Sequence, residues 1–256
     1  MPRTVAIANE KGGAGKTTTA INLAAALVEL GERVLLVDLD ARADLTLNLG
    51  LHLRPDQPSV YSLFAEPDAD PRSVPVRVAG TDLEVAPAER DLAAVEVLLG
   101  RLAPPERVKT VGGVLERLGR GQGWVLLDCP PGLSLLVVAV MQCVDAVLVP
   151  QQCSFTALHG LRALEQTMAD IERAGGRTPP VVNVVLTMTN RTLHSSRMEE
   201  AVRKRFGERV LETTIPATVR LQEAPEYGLP ITLYDDEGKG AQAYRALAEE
   251  VLRRAS

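Results

Sequence analysis

Lys11-Gly12-Gly13-Ala14-Gly15-Lys16-Thr17-Thr18 lies between a short apolar stretch, Thr4–Ala8, and an Ala/Leu-rich stretch, Lys16–Leu30, that stops at Gly31. The order reads strand, glycine loop, helix. At such a junction unpaired backbone N–H groups and the helix dipole converge on an anion. Gly12, Gly13 and Gly15 let the backbone curl around phosphate oxygens without a Cβ clash, so the segment from Lys11 to Thr18, Ala14 included, is a candidate phosphate cradle. Lys16 then supplies a point charge to the β- and γ-phosphates, and the Thr17 hydroxyl can ligate Mg2+. The pattern departs from the ordinary G-x-x-x-x-G-K-[ST], because Glu10 stands where its first glycine belongs. Instead there is a second lysine, Lys11, and one site hardly needs both lysines on its own phosphates.

Outward from this loop, strands and helices alternate. Arg33–Asp38 is a second, almost continuously apolar strand, as expected where a parallel sheet is covered on both faces. Leu83–Ala86, Val125–Asp128, Ala146–Val149, Val181–Leu186 and Val210–Ile215 are further strand candidates. Helical patterns cover Asp91–Arg101, Glu106–Leu118, Ala157–Arg173, Ser195–Arg205 and Ala241–Arg254. This alternation implies right-handed βαβ crossovers and an α/β fold: one doubly wound, mostly parallel sheet with helices on both faces. Arg54–Pro75 is broken by five prolines and reads as a surface connection. A single domain over residues 1–256 is expected.

Two strand ends carry acids. Asp128 closes an apolar strand beside the cradle and would hold Mg2+ directly or through one of its waters; Pro130-Pro131 after it offer no N–H groups to cap. Asp38 and Asp40 end the second strand, and the period of two sends both to one side, at the edge that borders ligand crevices in open α/β sheets.

Composition narrows the function. The 256 residues are 46% hydrophobic and 24% charged, with a formal net charge of −5, which fits a globular protein and excludes a histone-like polycation. Cys129, Cys143 and Cys153 form no C-x-x-C pair, so neither a zinc ribbon nor a disulfide scaffold is suggested, and a reducing cytoplasm fits. No apolar run approaches the ~20 residues of a membrane span, the longest being Leu133–Met141. Aromatic residues are 3% of the chain, too few for base-stacking platforms. The last helix places Tyr244, Leu247, Ala248, Val251 and Leu252 on one stripe, which reads as packing against the sheet rather than as a membrane anchor.

The loop, with its extra lysine, resembles the deviant K-G-G-x-G-K-[ST]-T loop of the ParA/MinD family of P-loop ATPases. The likeness extends to Val34-Leu35-Leu36-Val37-Asp38-Leu39-Asp40, to Val125-Leu126-Leu127-Asp128-Cys129-Pro130-Pro131 as a Walker B segment, to Leu186-Thr187-Met188, and to Thr213-Thr214-Ile215-Pro216 with Glu223-Ala224-Pro225. It is nearest to the Soj-like partition ATPases without an extra N-terminal DNA-binding domain, since the chain begins at its first strand. The resemblance implies an ATP- and Mg2+-dependent ATPase that forms a face-to-face homodimer, binds double-stranded DNA non-specifically and answers to a ParB-like centromere-binding protein, in the cytoplasm on the nucleoid and not on a membrane. It implies that Lys11 reaches the partner's phosphates, that Asp40 orients the attacking water, that Asp38 lies near Mg2+ or Lys11, and that Met188, Pro216 and Thr218 grip adenine. After Asp40 the family commonly has Pro-Gln-Gly, where this chain has Ala41-Arg42-Ala43, which points to a slow enzyme with an altered response to its partner.

Arg191, Arg197, Arg203, Lys204, Arg205 and Arg220 cluster in an otherwise acidic chain. Arg191 and Arg220 align with arginines of Soj-like relatives that bind DNA. A local patch suffices for phosphate affinity whatever the net charge, so Arg191, Arg197, Arg203 and Arg220 are candidate DNA contacts, against the alternative of a solvated helix face interrupted by Glu199 and Glu200. Three other functions share the loop: an iron–sulfur ATPase using Cys129 and Cys143, a MinD-like membrane-positioning ATPase, and a biosynthetic ATPase activating a small carboxylate.

Overall fold

A computed structural model of the chain describes residues 2–54, 56–153, 157–177, 181–190 and 192–255. Its strands are β1 (Arg3–Ile7), β2 (Val34–Asp38), β3 (Val76–Arg77), β4 (Glu84–Ala86), β5 (Trp124–Asp128), β6 (Ala146–Gln152), β7 (Val181–Thr189) and β8 (Val210–Pro216). They form one sheet in the order β3-β4-β2-β5-β1-β6-β7-β8. Every pairing is parallel except β3 with β4. The helices are α1 (Lys16–Glu29), α2 (Asp44–Asn48), α3 (Val60–Ala65), α4 (Ala94–Gly100), α5 (Pro104–Gly119), α6 (Leu135–Cys143), α7 (Ala157–Arg173), α8 (Leu193–Phe206), α9 (Arg220–Glu223), α10 (Ile231–Tyr234) and α11 (Lys239–Ala255).

The central strands are apolar on both faces because both faces are covered. Ala6, Leu35, Val37, Val125 and Leu127 feed one buried cluster, with residues of α3, α4, α5 and α6. Val5, Ile7, Val34, Leu36, Trp124 and Leu126 feed the other, with α1 and α11. Alternate residues of one strand therefore serve opposite layers, the doubly wound arrangement expected from the sequence.

Several elements differ from the sequence reading. The proline-broken segment is not a plain connection: Ser59 caps α3, accepting from the Tyr61 N–H at 3.1 Å while Ser62 Oγ accepts from the Ser59 N–H at 3.1 Å, and directly after the segment β3 lies along the sheet edge. The apolar run Leu133–Met141 becomes α6, capped by Ser134 and packed on α4 and α5. Uniform hydrophobicity hides the period of a helix buried all round. The helical pattern at Asp91–Arg101 divides into a 3-10 turn, Arg90–Ala93, and α4.

The stripe on α11 is core: Tyr244, Leu247 and Ala248 are buried, and the Tyr244 hydroxyl meets Thr19 Oγ1 of α1 at 3.4 Å. Glu250, also buried, fastens α11 to β8 by accepting from the Glu212 and Thr213 N–H groups, each at 2.9 Å. Among the described residues, no helix is long and apolar enough to cross a membrane.

Candidate phosphate and metal site

The loop after β1 is built by left-handed glycines. Gly13 (φ 73°) and Gly15 (φ 89°) adopt a backbone that a Cβ disfavours, and Gly15 opens α1 with no side-chain cap. Among the described residues the amide groups from Gly12 to Thr17 meet no hydrogen-bond acceptor. A ring of unpaired donors on a helix N-terminus attracts an anion. The first turn of α1 holds no acid that would compete.

Neighbouring strands brace this loop from behind. Asn9 donates to the Pro150 carbonyl at 2.7 Å and accepts from the Lys11 N–H at 3.0 Å. The Thr187 hydroxyl donates to the Ala14 carbonyl at 2.9 Å. The Gly132 N–H bonds the Glu10 carbonyl at 3.2 Å, tying the loop to the turn after β5. Asn9 has no role apparent in the sequence, and the bonds of Asn9 to Pro150, Thr187 to Ala14 and Gly132 to Glu10 are not signalled by local pattern, since each joins residues more than a hundred positions apart.

The two lysines separate. Lys16 is buried, with its ammonium on the Lys11 carbonyl at 3.3 Å; Lys11 is exposed. Burial lowers the Lys16 pKa, opposed by the charges of Asp128 and Asp40. An ammonium desolvated against one long acceptor is under-satisfied, and an anion entering the loop supplies what it lacks.

Asp128 is buried, and one of its oxygens, Oδ1, has no hydrogen-bond partner among the described residues. Thr17 bonds the carboxylate. Burial first, then the neighbouring charge of Asp38, raise the Asp128 pKa well above the ordinary carboxylate range. An orphaned buried carboxylate oxygen beside a hydroxyl and a ring of anion-binding amides suits a hard divalent cation with oxygen ligands.

Asp38 and Asp40 part company despite their shared side of the strand. Asp38 accepts from the Asp40 N–H (3.1 Å), the Thr46 N–H (3.0 Å) and the Thr46 hydroxyl (2.7 Å), which fixes the turn into α2. Burial pushes its pKa up to about 6. Asp40, also buried, meets the exposed Arg42, whose Nη2 lies 2.9 Å from Oδ2. In this turn Ala43 holds a left-handed backbone, φ 56°.

Met188, Pro216 and Thr218 sit together at the ends of β7 and β8, joined by the Ala217 N–H on the Thr189 carbonyl at 3.0 Å. Met188 also has positive φ, 52°. The basic cluster is less unified than its spacing suggests. Arg197 is exposed near the start of α8. Arg203 lies near the helix's other end and is bound to Glu199 Oε1 and the Leu211 carbonyl, each at 2.9 Å. Arg205 pairs with Glu165 at 3.1 Å, and Arg220 with Glu223 at 2.9 Å. Arg191 lies outside the described residues.

The three cysteines stand on different elements. Cys129 follows β5 with its thiol toward the Leu127 carbonyl, Cys143 ends α6 and meets the Val108 carbonyl, and Cys153 follows β6. Burial raises all three thiols, Cys143 to about 11.

A glycine loop between the first strand of a parallel sheet and its helix, with a metal-suited acid ending the adjacent strand, defines a P-loop nucleotide-binding protein. The family described as "AAA domain" matches residues 2–179. The chromosome partitioning protein ParA of Caulobacter vibrioides is 43% identical over 98% of this chain and 94% of its own length. The sporulation initiation inhibitor protein Soj of Bacillus subtilis is 38% identical over 98% of both chains. A solved structure described as cobyrinic acid a,c-diamide synthase of Mycobacterium smegmatis, with bound ATP analogue and magnesium, superposes with a TM-score of 0.84 at 32% identity, over 100% of this chain and 96% of that one. The chain belongs to the ParA/MinD family of P-loop ATPases.

Proposed function

We propose that this chain is a DNA-partition ATPase in which bound ATP joins two copies and hydrolysis parts them. The observation that carries the reading is the division of labour in the loop. Lys16 is buried, whereas Lys11, on the same loop, is exposed. A lysine so placed suits the phosphates of a second copy. Nucleotide then becomes part of an interface, and loss of the γ-phosphate removes contacts made in only one state.

The loop amides from Gly12 to Thr18 and Lys16 hold the phosphates; Thr17 and Asp128 hold Mg2+, and Asp38 adds negative charge nearby. Mg2+ when bound neutralises charge on the β- and γ-phosphates. Asp40 orients the attacking water. Met188, Pro216 and Thr218 line the base. Positioning and charge neutralisation carry such a rate, because phosphoryl transfer leaves a protein little covalent work. We expect slow turnover, stimulated by a ParB-like partner.

The dimer binds double-stranded DNA non-specifically, in the cytoplasm on the nucleoid, through Arg191, Arg197 and Arg220. Arg203 and Arg220 serve only if phosphate displaces their present partners. Two copies double the patch and raise affinity through effective concentration. The buried apolar stripe of α11 argues against membrane docking by that helix.

A second reading, amide synthesis, is favoured by the description of the solved neighbour. An amide synthase that draws ammonia from glutamine needs an activated thiolate, and the raised pKa values of all three cysteines weigh against it. A DNA-binding titration with ATP, ADP and no nucleotide, on wild type and Lys16→Ala, tests the proposal. Tight binding by wild type with ATP alone supports it; equal binding in every condition overturns it.

A further inference from the structure

Arg42 occupies the carboxylate that the proposed mechanism assigns to water. Asp40 Oδ1 accepts from the Arg42 N–H at 3.0 Å and from Nε at 3.4 Å, while Oδ2 accepts from Nη2 at 2.9 Å and from Nε at 3.2 Å. Both oxygens of Asp40 are thus engaged by one residue. The Asp40 side chain is 11% exposed and that of Arg42 62%, so the guanidinium lies over the carboxylate from the solvent side. The same Nη2 stands 3.3 Å from Asp44 Oδ2, a half-exposed acid on the first turn of α2. Arg42 therefore has a second carboxylate within reach.

A carboxylate orients water by offering a lone pair and negative potential. A bidentate guanidinium takes the first and cancels much of the second. The Arg42 side chain is exposed, so water and Asp44 can replace its bonds to Asp40 and the guanidinium can exchange partners. We propose that Arg42 is a positioning residue that latches Asp40 and holds hydrolysis back, and that transfer of Arg42 to Asp44 frees Asp40. The inference rests on Asp40 being the water-orienting acid. Bound triphosphate persists longer under the latch, and the lifetime of the ATP state is set by the fraction of time that the latch is open.

The test is ATP hydrolysis at saturating Mg2+ and ATP for wild type, Arg42→Gln, Asp44→Asn, Asp40→Ala and the double variant Asp40→Ala/Arg42→Gln. Arg42 and Asp44 are exposed enough that the fold tolerates both changes. Arg42→Gln raises kcat by about fivefold, the scale of one partly exposed ion pair, with KM for ATP unchanged. Asp44→Asn lowers kcat, because the released guanidinium loses its alternative partner. These opposite signs at constant KM are not produced by a merely structural role. Asp40→Ala is inactive with or without Arg42. A kcat that falls or stays level in Arg42→Gln, with Asp40→Ala inactive, overturns the latch alone. A gain from Arg42→Gln that persists without Asp40 also overturns it. Wild-type turnover in Asp40→Ala instead removes the role of Asp40, and the latch with it.

Discussion

Asp38 and Asp128 are register partners on adjacent parallel strands, β2 and β5, and both are buried. Two carboxylates thus share one water-poor corner beside the phosphate loop. Their chemistry is unequal: Asp38 is satisfied by three donors, whereas Asp128 keeps Oδ1 unpartnered. The corner is costly for the protein alone and suited to a cation.

Asp128→Asn removes a buried negative charge and should therefore raise the stability of the nucleotide-free protein at pH values where Asp128 is ionised, while abolishing stabilisation by Mg2+ and ATP. The pH dependence follows from the raised pKa of Asp128. An acid whose folded pKa lies above its unfolded value contributes stability in full below the unfolded value and loses it as pH rises through the folded one. The variant lacks this loss, so its advantage should grow with pH and close as Asp128 takes up its proton. Thermal melts from pH 5 to 8, with and without Mg2+ and ATP, measure both effects.

Thr187→Val keeps the shape of a buried side chain and deletes its hydrogen bond to the Ala14 carbonyl. Loss of that brace should cost about 1 kcal/mol of stability and weaken ATP binding several-fold, because the loop amides are no longer held in place. Chemical denaturation and a nucleotide titration check the pair of outcomes; tighter ATP binding would count against the brace.

Ala43 sits at φ 56°, where an L side chain is strained. Ala43→Gly should relieve that strain and stabilise the protein by about 0.5–1 kcal/mol, net of the entropy that glycine adds to the unfolded chain. Ala43→Val should destabilise it. Denaturation midpoints for the two variants give the comparison.

Arg197→Ala and Arg203→Ala should separate DNA contact from scaffolding. Arg197→Ala should leave thermal stability unchanged and weaken DNA binding, with the slope of log affinity against log salt reduced by about 1 per lost phosphate contact. Arg203→Ala should lower stability, since it breaks bonds to Glu199 and to the Leu211 and Glu212 carbonyls. Melting curves and salt-dependent binding distinguish them.

The sheet was legible because its strands are short apolar runs that alternate with helical patterns, two of them, β2 and β5, ending in acids. The loop was legible because its residues are consecutive. What escaped detection depends on distance or on ambiguity. Asn9 and Thr187 act through partners far along the chain, α6 is apolar on all sides, and β3 is only two residues long. The division of Asp38 from Asp40 was hidden as well: the period of two places both on one side, and only Thr46 and Arg42 reveal that one fixes the turn into α2 and the other meets an exposed guanidinium. The basic cluster misled for a related reason. Arg203 is close in sequence to Arg197 but almost two helical turns away, against the carbonyls of β8.

Sedimentation velocity of Asp40→Ala, run with Mg2+ and ATP, with Mg2+ and ADP, and again with ATP after Lys11→Ala is added, tests the ATP-joined pair most directly. The expected result is a dimer with ATP, a monomer with ADP, and a monomer with ATP once Lys11 is replaced. A monomer under all three conditions, or a dimer indifferent to both nucleotide and Lys11, would contradict it.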